Sequence, residues 1–163
     1  MADASVQRVA ETLGREQTVR GLLEAATREL VDVLDASACL ISRVVGDLLV
    51  SLVEFSRDER TLGLGHEYLI SDYPLTKQVV TEGRPRAVSL LEEEPEPNEA
   101  ELLEQLGYES LLMTCLPSNG QCWGLVEVYL DQRRFDEDQA AIAREIAAIT
   151  GKQLERLEGQ SRT

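Results

Sequence analysis

The sequence predicts an α+β fold built on a central antiparallel sheet of about five to six strands, and three observations carry that reading. Two pairs of apolar runs meet at tight turns, Gly46-Asp47 and Asn119-Gly120, which are hairpin connections and not helical crossovers. Stretches with apolar residues three and four apart stand at both ends of the chain, the pattern of amphipathic helices. Strands joined by short turns pair antiparallel and leave the terminal helices to layer on the sheet.

Each element follows in order. Between residues 8 and 34, Val9, Leu13, Val19, Leu22, Leu23, Ala26, Leu30, Val33 and Leu34 recur at helical spacing, with a break expected near Gly14. "SACLISRVV" and "LLVSLVEFS" form the first hairpin, and "HEYLI" is a short strand after a loop holding Gly63 and Gly65. In 71–83, Ser71 and Asp72 are candidate N-caps, Pro74 suits a first helical turn, Leu75, Val79 and Val80 share a side, and Gly83 ends the helix. "RAVSL" is a further strand. The acidic run that follows reads as a solvated loop, because its prolines hold the carboxylates apart where a calcium loop needs spaced ligands around a glycine. Asn98 and Glu101 then stand in capping-box spacing, Leu102, Leu103 and Leu106 face inward, and Gly107 is the stop. After the second hairpin, Asp136 and Gln139 cap a last helix, Phe135 is its staple, and Ile142, Ile146, Ile149, Leu154 and Leu157 form its buried side.

With 163 residues and 43% hydrophobic content, the chain is expected to form one domain over 1–163 with a core of its own. A formal charge of −14, with Lys77 and Lys152 the only lysines, repels phosphate backbones and anionic lipid, so neither nucleic acid nor membrane is an expected partner. No apolar run approaches the roughly 20 residues of a membrane span. The N-terminus, with Asp3 and Glu11, is not a secretion signal, and a cytoplasmic location is expected. Cys39, Cys115 and Cys122 are odd in number and form no CxxC pair; they are expected to be reduced thiols in or near the core.

The succession of "DYPLTKQVVTEGRPRAVS", an acidic insert, "LGYESLLMTCLPSNGQCWGLVEVYL" and "RRFDEDQAAIAREIAAITGKQLERLE" resembles the GAF domain, a PAS-related small-molecule-sensing module of signalling proteins. The likeness runs from about residue 19 to residue 157, leaving 1–18 as a helical extension and 158–163 as a tail. It implies N- and C-terminal helices on one sheet face and short helices with loops roofing a pocket on the other. It also implies a non-catalytic sensory role, homodimers through the terminal helices, and a signalling output domain or protein. The small molecule, and any cofactor, stays unidentified.

On the last strand, Val126, Val128 and Leu130 form one alternating set and Leu125, Glu127 and Tyr129 the other. The aliphatic set suits the terminal helices. The resemblance then turns Leu125, Glu127 and Tyr129 toward the roofed pocket, where a buried carboxylate needs a partner: a ligand cation, a ligand hydrogen-bond donor, or a protein group. Alignment with tetrapyrrole-binding members through "WGL" adds Leu111 and Met113, and the roof contributes Tyr73, Thr76 and Val80, with Tyr108 at the hairpin entry. Of Glu54 and Phe55, at most one sees the pocket.

Two other functions compete. A dimerisation module with a self-filled pocket would use Leu13, Leu22, Ile149, Leu154 and Leu157 on the terminal helices. A free methionine sulfoxide reductase would use Cys115 and Cys122, which flank one turn, but the catalytic-cysteine segment of such enzymes has no counterpart, since 56–108 holds no cysteine. The same gap removes the roof cysteine to which photoreceptor members attach bilin. Haem would fall to the single histidine, His66. "RRFDEDQ" only partly matches the cyclic-nucleotide pattern.

Overall fold

The structure, a computed structural model, describes residues 2–60, 62 and 67–161. The first helical stretch is two helices, α1 (Ala2–Gly14) and α2 (Val19–Leu34). The break follows from local chemistry: the chain leaves helical geometry after Gly14, and Thr18 restarts it by accepting the Gly21 amide at 3.0 Å. The first hairpin is β1 (Ala38–Val45) and β2 (Leu48–Ser56), and β3 (Glu67–Leu69) pairs with β2.

Two caps differ from expectation. Ser71 and Asp72 do not cap the next helix, α3 (Pro74–Glu82); they belong to a 3₁₀ turn (Ile70–Asp72), and Tyr73 holds the N-cap position without a side-chain bond. Ser71 instead anchors this turn to the first hairpin, donating its N–H and hydroxyl to the Asp47 carboxylate at 2.9 and 2.6 Å. After β4 (Arg86–Ser89), α4 (Pro97–Leu106) starts earlier than the Asn98–Glu101 spacing implies. Glu96 caps it through the Glu99 amide at 2.8 Å, and Asn98 reaches back to the Asp72 carbonyl at 2.7 Å. The acidic segment is therefore partly a helix start, where carboxylates favour the free N–H groups. The second hairpin, β5 (Ser110–Ser118) and β6 (Gln121–Leu130), leads to α5 (Glu137–Ser161), capped reciprocally by Asp136 and Gln139 at 2.8 and 2.9 Å.

The six strands run β3-β2-β1-β6-β5-β4, every neighbouring pair antiparallel. On one face, α2 and α5 pack over Ile41, Leu112, Leu116, Val126 and Val128, and α1 packs on the two helices. On the other, α3 and α4 roof Leu40, Leu111, Met113, Leu125 and Tyr129. α5 docks so closely that a Cβ on Gly151 would overlap the Pro117 carbonyl oxygen. Leu13, Leu22, Leu154 and Leu157 are buried within this helical layer and Ile149 is partly buried against it. The surplus apolar surface expected for pairing is thus covered by the chain itself, because α1 lies on α2 and α5. No described helix is long and apolar enough to cross a membrane.

The cysteine expectation is corrected. Cys115 and Cys122 are joined in a disulfide with their Cα atoms 5.5 Å apart, and only Cys39 is a free, buried thiol. The register explains how they meet. Leu116 pairs with Gly124 and Pro117 with Cys122, leaving Trp123 as an extra residue on β6. An inserted residue reverses the facing of those beyond it. Trp123 therefore packs on the helical side, while Cys122 joins Cys115 on the roofed side.

Candidate functional site

The roofed face encloses a small chamber. Its floor is Leu40 (β1), Leu49 (β2), Tyr68 (β3) and Glu127 with Tyr129 (β6); its roof is Leu62, Tyr73, Thr76, Glu99, Leu102 and Leu106. Alternation along β6 places Glu127 here as expected, with Leu40 and Met113 across from it on the flanking strands. The residue is 7% exposed, and its carboxylate accepts the Tyr129 hydroxyl at 2.9 Å, so its hydrogen-bonding partner is a neighbour on its own strand.

A second carboxylate hangs from the roof. Glu99, 1% exposed, accepts the Thr76 hydroxyl at 2.5 Å and the Thr76 amide at 3.3 Å. This residue was hidden in what reads as a solvated acidic stretch. The signal that finds it is helical phase: Glu99, Leu103 and Leu106 lie at i, i+4 and i+7, one stripe of α4. The Thr76 oxygen also lies 3.3 Å from the Met113 sulfur, linking roof to floor.

Burial, then the charge of Glu99, push the Glu127 carboxyl up to about 7, only partly offset by the Tyr129 hydroxyl. Burial likewise raises Glu99 against the opposing effect of Thr76. Tyr129 is held well above its usual value by burial and by Glu127. Among the described residues, none that lines the chamber is basic. Near neutrality the pair therefore carries less than two full charges, and a donor or cation placed between them would favour ionisation of both.

The other expected site residues divide. Tyr73 and Thr76 line the chamber, and Tyr73 meets Tyr68 edge-on with ring centres 6.2 Å apart. Leu111, Met113 and Leu125 sit on the same sheet face within the surrounding apolar cluster, outside the chamber lining. Tyr108 stacks on Tyr129 at 5.3 Å but turns its hydroxyl toward Asp58 (3.2 Å) and Ser56 (3.3 Å), with Arg60 over its ring at 4.6 Å. It buttresses the wall. Val80 packs on the same cluster. Glu54 lies opposite Leu40 and accepts the Leu62 amide at 2.6 Å, whereas Phe55 packs on the helical side. His66 lies outside the described residues. The chamber holds about 20 Å³, the room of a single water.

The GAF domain family model matches residues 18–154. Among curated proteins none matches the chain. Solved structures that share the fold include three from light-sensing proteins. The chromophore-binding domain of Stigmatella aurantiaca bacteriophytochrome (a Thr289His mutant in the Pr state) gives a TM-score of 0.80 at 15% identity, covering 94% of this chain and 59% of that one. A far-red-absorbing dark state with bound biliverdin IXa gives 0.80 at 16% identity, covering 94% and 99%. The wild-type Stigmatella aurantiaca phytochrome photosensory core module gives 0.82 at 15% identity, covering 97% and 37%. The chain thus spans little more than half of the first of these, and about a third of the last.

Proposed function

Because the chain belongs to the GAF domain family, we propose that it is a non-catalytic sensory module that admits a small molecule between sheet and roof and passes the change to its terminal helices. The observation that carries this reading is the pair of buried carboxylates, Glu127 on the sheet and Glu99 on the roof, both lining one chamber without a basic side chain among its described walls. Buried carboxylates without counter-charges destabilise a fold, and a ligand bearing hydrogen-bond donors or positive charge would relieve them. With about 20 Å³ of room, the conformation described is the closed one. Ligand entry requires α3 and α4 to move, and a ligand displaces that equilibrium only by its preference for the open state. In this reading the output is a further domain or protein, and the homodimer expected for the family would form on surfaces other than the buried Leu13, Leu22, Leu154 and Leu157.

A bilin attached through a roof cysteine finds no such residue here. Residues 56–108 hold no cysteine for attachment, and Cys115 and Cys122 are joined to each other. The small volume favours a second reading, an interaction module whose chamber is filled by its own side chains. Native mass spectrometry and thermal shift against metabolites and nucleotides separate the two, repeated on Glu127→Gln and Tyr129→Phe. Binding that weakens about tenfold in both variants supports the sensor; hits indifferent to both changes remove the chamber as the site, and a silent panel favours the filled module.

A further inference from the structure

The disulfide lies where the two layers of the fold meet. Beside it runs a surface groove of about 390 Å³, bounded by Val80 and Gly83 at the end of α3, Arg144 and Ala148 of α5, and the two cysteines themselves. Cys115 is 8% exposed and Cys122 is half-buried, so the bond is reachable from the groove, chiefly at Cys122. Arg144 and Glu82 both line the groove, so its walls carry one charge of each sign.

A purely structural role for this bond is weak. The two cysteines are seven residues apart, and the loop they close is already closed by the Asn119-Gly120 turn, with φ of 53° and 75°, and by ladder pairing on both sides. A crosslink stabilises chiefly by closing long loops of the unfolded chain.

The Cys115 sulfur lies 3.2 Å from the Val79 carbonyl oxygen. That oxygen belongs to the last turn of α3 and also accepts the Gly83 amide at 2.8 Å. A disulfide sulfur has no hydrogen to give; a thiol does. We propose that Cys115–Cys122 is a thiol–disulfide exchange site for a dithiol reductant, and that reduction adds a hydrogen bond from the sheet to the last turn of α3.

The exchange balances. A thiolate of the dithiol attacks the Cys122 sulfur, the S–S bond breaks, and its electron pair leaves on Cys115, which takes a proton. The second thiol of the reductant, deprotonated, then attacks the mixed disulfide and releases Cys122, which is protonated in turn. Two electrons and two protons pass to the protein, and the dithiol becomes a disulfide. The two states then differ by one hydrogen bond between roof and sheet.

The test uses the full chain in native buffer, treated with dithiothreitol, alkylated with iodoacetamide and followed by intact mass and amide hydrogen exchange. Two adducts per chain, with Cys39 unmodified, are expected, together with exchange about threefold slower at the α3 C-terminus after reduction. Cys122→Ala should reproduce that slowing without reductant, and Cys115→Ala should not show it under any condition. Three outcomes overturn the proposal: both thiols alkylated before reductant is added, a bond that resists dithiothreitol until urea unfolds the chain, or α3 exchange unchanged between the two states.

Discussion

Burial raises the carboxyls of both Glu127 and Glu99, which ties part of the molecule's stability to pH. A carboxyl held at about 7 in the fold, against an ordinary value of 4.5, binds its proton more tightly folded than unfolded. The contribution to stability is therefore fully present below about pH 4.5 and is lost as pH rises toward and through 7. The shift corresponds to roughly 3 kcal/mol, and Glu99, raised by burial, acts with the same sign. Urea unfolding at pH 5 and pH 8 should show wild type weaker at pH 8, with that difference reduced in Glu127→Gln; equal pH dependence in the variant would overturn the assignment. Thr76→Val removes the hydroxyl that Glu99 accepts. It should lower stability by about 1–3 kcal/mol at pH 8 and by less as pH falls, since burial eases protonation of this carboxyl, as read by the same measurement. At this scale strand alternation separates Glu127 from the aliphatic side of β6, but its turn toward the roof rests on the family resemblance; Glu99 reads as part of a solvated acidic stretch, and only its phase with Leu103 and Leu106 in α4 sets it apart. Neither pattern tells which roof residue hangs over which strand residue.

Among the described elements, two close approaches of backbone to backbone constrain the packing, one between neighbouring strands and one between α5 and β5. At Gly124 an added Cβ would lie 2.5 Å from the Ser42 carbonyl oxygen, next to the irregular β5–β6 register, and at Gly151 it would overlap the Pro117 carbonyl oxygen. Gly151→Ala should then force α5 away from β5 and lower stability by about 3 kcal/mol, seen as a lower thermal midpoint, whereas Gly159→Ala, in α5 with open space around it, should leave the midpoint unchanged or slightly higher. Most elements are legible locally, down to the reciprocal Asp136–Gln139 cap. The displaced caps of α3 and α4 are not, because Ser71 and Asn98 are drawn to Asp47 and Asp72, residues far from their own helix starts.

For the whole molecule, α1 acts as a cover. Val9 and Leu13 are fully buried as α1 packs on α2 and α5. Deleting residues 2–14 should expose Leu22, Leu154 and Leu157 and promote self-association in sedimentation. It should also lower stability by several kcal/mol, since removing one buried leucine-sized side chain alone costs about 2–5 kcal/mol. A truncated chain as stable and no more associated than the full one would refute this role. The layered α+β architecture, a sheet of about five to six strands and the apolar helical face were determined by the sequence itself, since periods of 2 and 3.6 are properties of neighbouring residues. The three-dimensional packing decided the rest: the extra residue at Trp123 that turns Cys122 to Cys115, the covering of the terminal helices by α1, and the meeting of Glu99 with Glu127. Each depends on register or docking between segments distant in the chain, and no local pattern of residues encodes which distant partner a side chain will meet.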